Sequence, residues 1–176
     1  MELILHDTIA CLNQGIQLLG SLAPEQYVKP HSNCYHSTIG GHFRHNLDHF
    51  LCFQAGVKSG KIDYDARSRE EFLETEPEYA ARKMLELTEF FGTLRGEDLD
   101  RSLKIKMDSG ASHPETGHWS RSSLRRELQF LISHTIHHYA FIATLCSEDG
   151  SNLPENFGVA PSTLRFRNAR HHQCER

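Results

Sequence analysis

The chain has 176 residues, 38% of them hydrophobic and 24% charged, with a formal net charge of −4 when histidines are neutral. That length allows one domain with a substantial core, and the mild acidity argues against nucleic acid as the main partner. No apolar run approaches the roughly 20 residues needed to span a bilayer, so no membrane association is expected.

Apolar residues spaced alternately by four and three define four amphipathic helices. The first runs through Leu5, Ile9, Leu12, Ile16 and Leu19 and ends before Pro24. The second begins after Ser37 or Thr38, either of which suits an N-cap, and runs Ile39, Phe43, Asn46, Phe50, Phe53, Val57. The third opens at Thr75 with Pro77 in its first turn and runs Ala80, Met84, Leu87, Phe91, Leu94. Beyond it, Leu103, Ile105 and Met107 alternate with Lys104 and Lys106, a short strand signal, and the turn-rich SGASHPETGH follows. The fourth helix is entered through SRSSLRRE, a basic run that reads as a solvated helix start. Its seam runs Leu124, Leu128, Leu131, Thr135, His138, Ile142, Leu145, and it stops near Gly150.

Pro154, Gly158 and Pro161 then mark a wrap-around segment with one short helical turn, and residues 167–176 read as a flexible tail. The expected fold class is all-α. An antiparallel four-helix bundle spans 1–166 as a single domain, with a small strand/loop insertion between helices 3 and 4.

Five cysteines, at 11, 34, 52, 146 and 174, are scattered and form no Cys-x-x-Cys pair. This excludes a thiolate zinc knuckle and a dithiol redox motif. Cys11, Cys52 and Cys146 fall in apolar helical patterns and are expected to be small core residues in a reducing compartment. The start MELILHDTIACL has neither a basic n-region nor a cleavage site, so the expected location is cytoplasmic.

Histidine is the unusual count, thirteen in all. On the fourth helix His134 and His138 are one turn apart and leave the same inward face, about 40° from each other at about 100° per residue. His137 turns away toward Phe130 and Phe141 at the edge of the apolar arc. On the second helix His42, His45 and His49 each precede a seam position and lie along one flank of the buried face, beside the polar Asn46. One imidazole from this helix with the two from the fourth would make a three-nitrogen site suited to zinc, nickel or iron(II), with positions left for water or substrate. Single buried histidines are commonly satisfied core residues; an inward pair facing a second inward cluster favours metal.

Other patterns carry less. Glu115-Thr-Gly-His118 matches the Glu-x-x-His of di-iron bundles, but Pro114 and Gly117 put it in a loop. Glu86 and Glu89 sit off the third seam, so an oxygen-handling di-iron site lacks its bridging carboxylates. His171 and His172 read as a weak metal-scavenging end. His-Glu-x-x-His, a phosphate loop and a nucleophile elbow are absent from the sequence.

Ser37 through His45 ("STIGGHFRH"), with Ser-x₇-His spacing, and "HTIHHYAFI" from His134 to Ile142 together resemble the DinB-like superfamily. The tail "NFGVAPSTLRF" is similar to the end of one of its subgroups. The resemblance implies a four-helix bundle, a homodimer, and a divalent metal held by three histidines. Carried to this chain, those ligands are His45, His134 and His138, and the choice of His45 over His42 and His49 rests on the resemblance. It implies metal-dependent handling of a low-molecular-weight thiol, as an S-transferase or isomerase acting on a small-molecule substrate. A hydrolase built on metal-activated water uses the same centre. His49 and His42 are then the candidate proton carriers. The alternative is a non-catalytic, metal-stabilised dimeric bundle that serves as a binding or structural module.

Overall fold

The period-four-and-three segments fold as expected into long helices, except that Thr75, read as the opening of the third, ends a separate helical turn and the long helix starts at Pro77. In a computed structural model that describes residues 2–32, 36–108 and 118–174, α1 spans Leu3–Leu19 and α3 spans Ile39–Val57. The third and fourth long helices are α5, Pro77–Thr93, and α6, Leu124–Glu148. Between α1 and α3 lies the short α2, Pro24–Val28, and one turn of helix, α4 at Phe72–Thr75, precedes α5. Thr38 caps α3, its side chain accepting from the Gly41 N–H at 2.8 Å, and Ser123 caps α6 by accepting from Arg126 N–H at 3.3 Å. Pro77 stands at the start of α5, where its missing N–H costs nothing. Past α6, Gly150 takes a left-handed φ of +68°, which ends the helix.

α1 packs on α5 and α6, and α3 packs on α6 and α5, so the four long helices close a ring around one core. Leu12, Leu18, Phe43, Leu47, Phe50, Phe91, Leu128 and Tyr139 are buried at its centre. Among the described residues no helix is long and apolar enough to cross a membrane.

Several expectations need correction. A three-stranded sheet is present, with β1 at Lys61–Asp63, β2 at Ser102–Lys106 and β3 at Ser120–Ser123. β1 pairs parallel to β2, with Ile62 opposite Ile105, and β2 pairs antiparallel to β3, with Leu103 opposite Ser122. The insertion therefore draws a strand from between the second and third long helices, and SRSS is an edge strand before the helix start. Serine-rich SRSS and three-residue KID have no alternation of their own; β2, with Leu103 and Ile105 buried, supplies the ladder that they complete. After the α6 turn the chain forms a further helix, α7, over Pro161–Cys174, where the sequence reading expected a single turn. Pro161 at its first position and the absence of glycine or a second proline let it continue. Cys11 and Cys146 are buried as expected, while Cys52 is half-buried.

α4 lies close on the first turn of α3, and Gly40 makes that approach possible. A Cβ at Gly40 would collide with the Glu74 carbonyl and come within 2.9 Å of the Tyr27 ring. Tyr27 is itself fixed there, its hydroxyl donating to the Leu73 carbonyl at 2.6 Å. Gly40→Ala is expected to destabilise the fold by about 1–3 kcal/mol through overpacking. Its denaturant midpoint should fall at an unchanged m-value; a variant as stable as the parent would contradict this contact.

Candidate metal centre

The pairing of α3 with α6 sets two rows of imidazoles against each other. One ring nitrogen from each of His45, His134 and His138 lies within 4.8 Å of the other two. His134 Nε2 and His45 Nε2 are 3.0 Å apart. Ring centroids are 5.0 Å apart for His45 and His134, 4.6 Å for His45 and His138, and 4.7 Å for His134 and His138. Among the described residues no carboxylate or thiol joins this set.

Burial is the first cause that holds these rings unprotonated, with charge repulsion from neighbouring histidines second. It pushes His45 down to about 3, His134 to about 4 and His138 to about 3. Three neutral imidazoles that aim lone pairs at one another repel unless a proton or a cation sits between them. Neutral, converging ring nitrogens are the donor set that zinc, nickel or iron(II) takes, so the residues fit the metal that the sequence reading expects.

The position of the site differs from that reading in one respect. His138 was expected in the α6 seam, but Tyr139 occupies it, fully buried, with its hydroxyl donating to the Cys11 carbonyl at 3.1 Å. His45, His134 and His138 are all half-buried. The centre therefore lies half-buried on one flank of the α3–α6 pair and not on the axis between the four long helices. A tyrosine fills the axis better because its ring buries more apolar surface and its one polar atom finds a backbone acceptor.

The remaining histidines have distinct places. His42 Nδ1 lies 2.9 Å from His138 Nδ1, and its ring stacks on Phe141 at 5.6 Å. Its Nε2 is buried without a partner, and burial lowers its pKa. His49 donates from Nδ1–H to the His45 carbonyl at 2.8 Å, which fixes its tautomer, and its ring lies 4.4 Å from that of His134. Burial lowers its pKa too. His137 is exposed and meets Phe141 edge-on at 4.9 Å, at the rim as expected; Phe130 instead stacks on His134 at 5.5 Å. Glu115 and the side chains of His171 and His172 lie outside the described residues.

Two residues near the centre, Glu127 and Asp48, were missed by sequence reasoning, whereas Asn46 was read as polar within the seam. Glu127 is buried on α6 and accepts from Tyr64 Oη at 3.0 Å, Ser122 Oγ at 2.5 Å and Arg126 Nη1 at 3.1 Å. Asp48 is buried beside His49 and accepts from Arg44 Nη1 at 3.2 Å and from the Arg69 N–H at 3.3 Å. Asn46 is buried with neither side-chain polar atom bonded to protein. A signal for Glu127 did exist: positions 127, 131, 134 and 138 follow three-four spacing, so the carboxylate shares a stripe with His134 and His138.

Comparison with known proteins bears on the fold. No family model matches the chain. A crystal structure of a DinB-like protein, YjoA of Bacillus subtilis, superposes with a TM-score of 0.58 over 87% of this chain and 96% of that one, at 20% identity. The fold is DinB-like. The sequence is also 33% identical to FK506-binding protein 5 of Rhizopus delemar over 106 residues, 59% of this chain. The match takes in 27% of that longer protein, so the chain corresponds to about a quarter of its length. The DinB-like fold carries the three-histidine cluster at the residues that the resemblance had named.

Proposed function

We propose that this protein binds one divalent metal ion through His45, His134 and His138 and uses it to handle a low-molecular-weight thiol, in an S-transferase or isomerase reaction. The convergence of three imidazoles held neutral by burial carries this reading. A bound zinc, nickel or iron(II) ion would supply Lewis acidity that gives a thiolate at neutral pH. The chain's own residues prepare the site. His42, against His138 Nδ1, leaves His138 Nε2 as the nitrogen turned to the centre and holds that ring in place. His49, anchored through Nδ1–H to the His45 carbonyl, keeps Nε2 as an acceptor for a proton released nearby. His42, which accepts at Nδ1 from His138 in this arrangement, carries its hydrogen on the unpartnered Nε2 and is the proton carrier that can donate, and burial keeps both rings neutral. The scaffold in this reading is an antiparallel four-helix bundle that pairs as a cytoplasmic homodimer.

Metal analysis of protein purified without chelators tests the first half. The parent is expected to hold about one ion per chain, and His45→Ala or His138→Ala to hold almost none. A parent that is metal-free and takes up none removes the reading. A panel of small thiols with electrophilic acceptors, assayed on metal-loaded and metal-free protein, tests the second half. One observation favours a non-catalytic alternative. All three ligands come from α3 and α6, so an ion would staple two helices that bound the core. That reading expects metal removal to lower stability while no thiol panel yields turnover above the metal-free background.

A further inference from the structure

Near the histidines stands a cation that, among the described residues, has nothing to hold. Arg67 is half-buried in the segment between β1 and α4, and its Nε is shielded from solvent without a hydrogen-bond partner. Neighbouring arginines are engaged: Arg44 binds Asp48 and Glu74, and Arg126 binds Glu127. Among the described residues no ion pair occupies Arg67. A guanidinium drawn partly out of water with a donor left over normally has an acceptor waiting.

The segment that carries Arg67 is pinned at both ends across the site. At its start the Tyr64 hydroxyl donates to Glu127 of α6, and the Tyr64 ring lies 5.7 Å from His49 and 5.3 Å from Phe130. At its end the Arg69 N–H donates to Asp48 of α3, the residue before His49. Arg69 takes a φ of +51°, a left-handed conformation that a non-glycine residue adopts only when its surroundings require it. These two staples hold the segment that carries Arg67 between a tyrosine packed on His49 and a backbone N–H bound to the residue before His49, so the segment has a fixed path beside α3. The Arg67 charge is felt at His45, His49 and His134, where it lowers the basicity of each ring.

The charge balance of the site then specifies its ligand. Three neutral imidazoles cancel none of the charge on a divalent ion, and Arg67 adds another positive charge to the same side. The nearest buried carboxylates, Asp48 and Glu127, are already committed to Arg44, Arg69, Arg126 and Tyr64. An anion is wanted, and one planar fork of donors matches a carboxylate, which accepts two parallel N–H bonds.

We propose that Arg67 is a specificity-determining residue that binds the carboxylate of a small ligand whose other end reaches the three-histidine centre. The proposal deepens the metal-site reading and rests on it, naming the substrate class as a low-molecular-weight carboxylate, such as a carboxylate-bearing thiol. Arg67 makes no internal hydrogen bond among the described residues, so replacing it leaves the bonds that hold the fold intact.

Cobalt(II)-loaded protein titrated with 3-mercaptopropionate and with the neutral 3-mercaptopropionamide tests this, the cobalt–thiolate absorption serving as the binding signal. The parent is expected to bind the carboxylate at least about tenfold more tightly than the amide, the scale of a charge-assisted bond. In Arg67→Gln the ratio should fall to about one at unchanged cobalt content, and Arg67→Lys should keep part of it. Equal affinities in the parent, or a preference that survives in Arg67→Gln, overturn the proposal. Failure of the metal reading is seen separately, as a parent that takes up no cobalt. Arg67 is then read on the metal-free protein, through the arginine Nε–Hε NMR signal that is missing from Arg67→Gln. Saturable movement of that signal with propionate supports carboxylate binding; an unmoved signal overturns it.

Discussion

Zinc added to the metal-free protein is expected to raise its melting temperature by roughly 8–16 °C when free zinc is about a thousandfold above Kd. An ion that binds only the folded state adds about 4 kcal/mol at that excess, and a chain of this size gains about 2–4 °C per kcal/mol. In His45→Ala and His138→Ala the melting temperature of the metal-free protein should stay near that of the parent, because both side chains are half-buried and their loss opens no core cavity. The rise on adding zinc should disappear in both. A rise that persists would put the ion elsewhere on the chain.

The same residues give the metal-free protein a pH dependence of definite sign. An unfolded histidine titrates near 6.5, whereas in the fold His45 and His138 are held at about 3 and His134 at about 4, chiefly by burial. Below pH 6.5 the unfolded chain therefore binds more protons than the folded one, and stability falls with pH. The stability that these rings contribute is complete above 6.5 and is lost as pH drops from there toward 3. Chemical denaturation of the metal-free protein between pH 7 and pH 4.5 should show this slope, and His138→Gln should flatten it. An equal slope in parent and variant would mean that other groups set it.

Glu127→Ala should be the most damaging single polar substitution near the site, with an expected loss of about 3 kcal/mol. Glu127 is buried and accepts three hydrogen bonds. Removing it strands the Tyr64 hydroxyl and Ser122 Oγ, and a buried donor left unpaired costs about 1–3 kcal/mol. The loss should appear as a melting temperature about 6–12 °C lower. Glu127→Gln, which keeps an acceptor oxygen, should recover a large part of it. If both variants melt with the parent, the carboxylate does not hold the Tyr64 segment to α6.

Much of this architecture was legible in the chain. Thr38, Pro77, Ser123 and Gly150 mark helix ends by local chemistry, and the apolar period between them needs no knowledge of distant residues. The inward pairing of His134 with His138 and the flank formed by His42, His45 and His49 follow from about 100° per residue. Geometry alone left the α3 ligand open; the resemblance chose His45, and the structure brings that residue to the α6 pair.

What stayed hidden depended on partners far along the sequence. KID and SRSS become strands because Ser102–Lys106 offers them a ladder, a fact recorded in neither segment. His138 and Tyr139 are adjacent, and the sequence could not say which takes the axis; the Cys11 carbonyl and the close packing at Gly15 give it to the tyrosine. Arg67 reads as an ordinary loop cation until Tyr64 and Arg69 fasten its segment across α3 and α6. The sequence by itself thus determined the four long helices and the histidine rows, because each depends on residues within a turn or two. Only the tertiary structure decided that the rows meet on a half-buried flank, with a buried glutamate tied to the Tyr64 segment and an arginine in that segment that has no partner among the described residues. Those outcomes depend on which elements pack together, and on which buried polar atoms find a partner when they do.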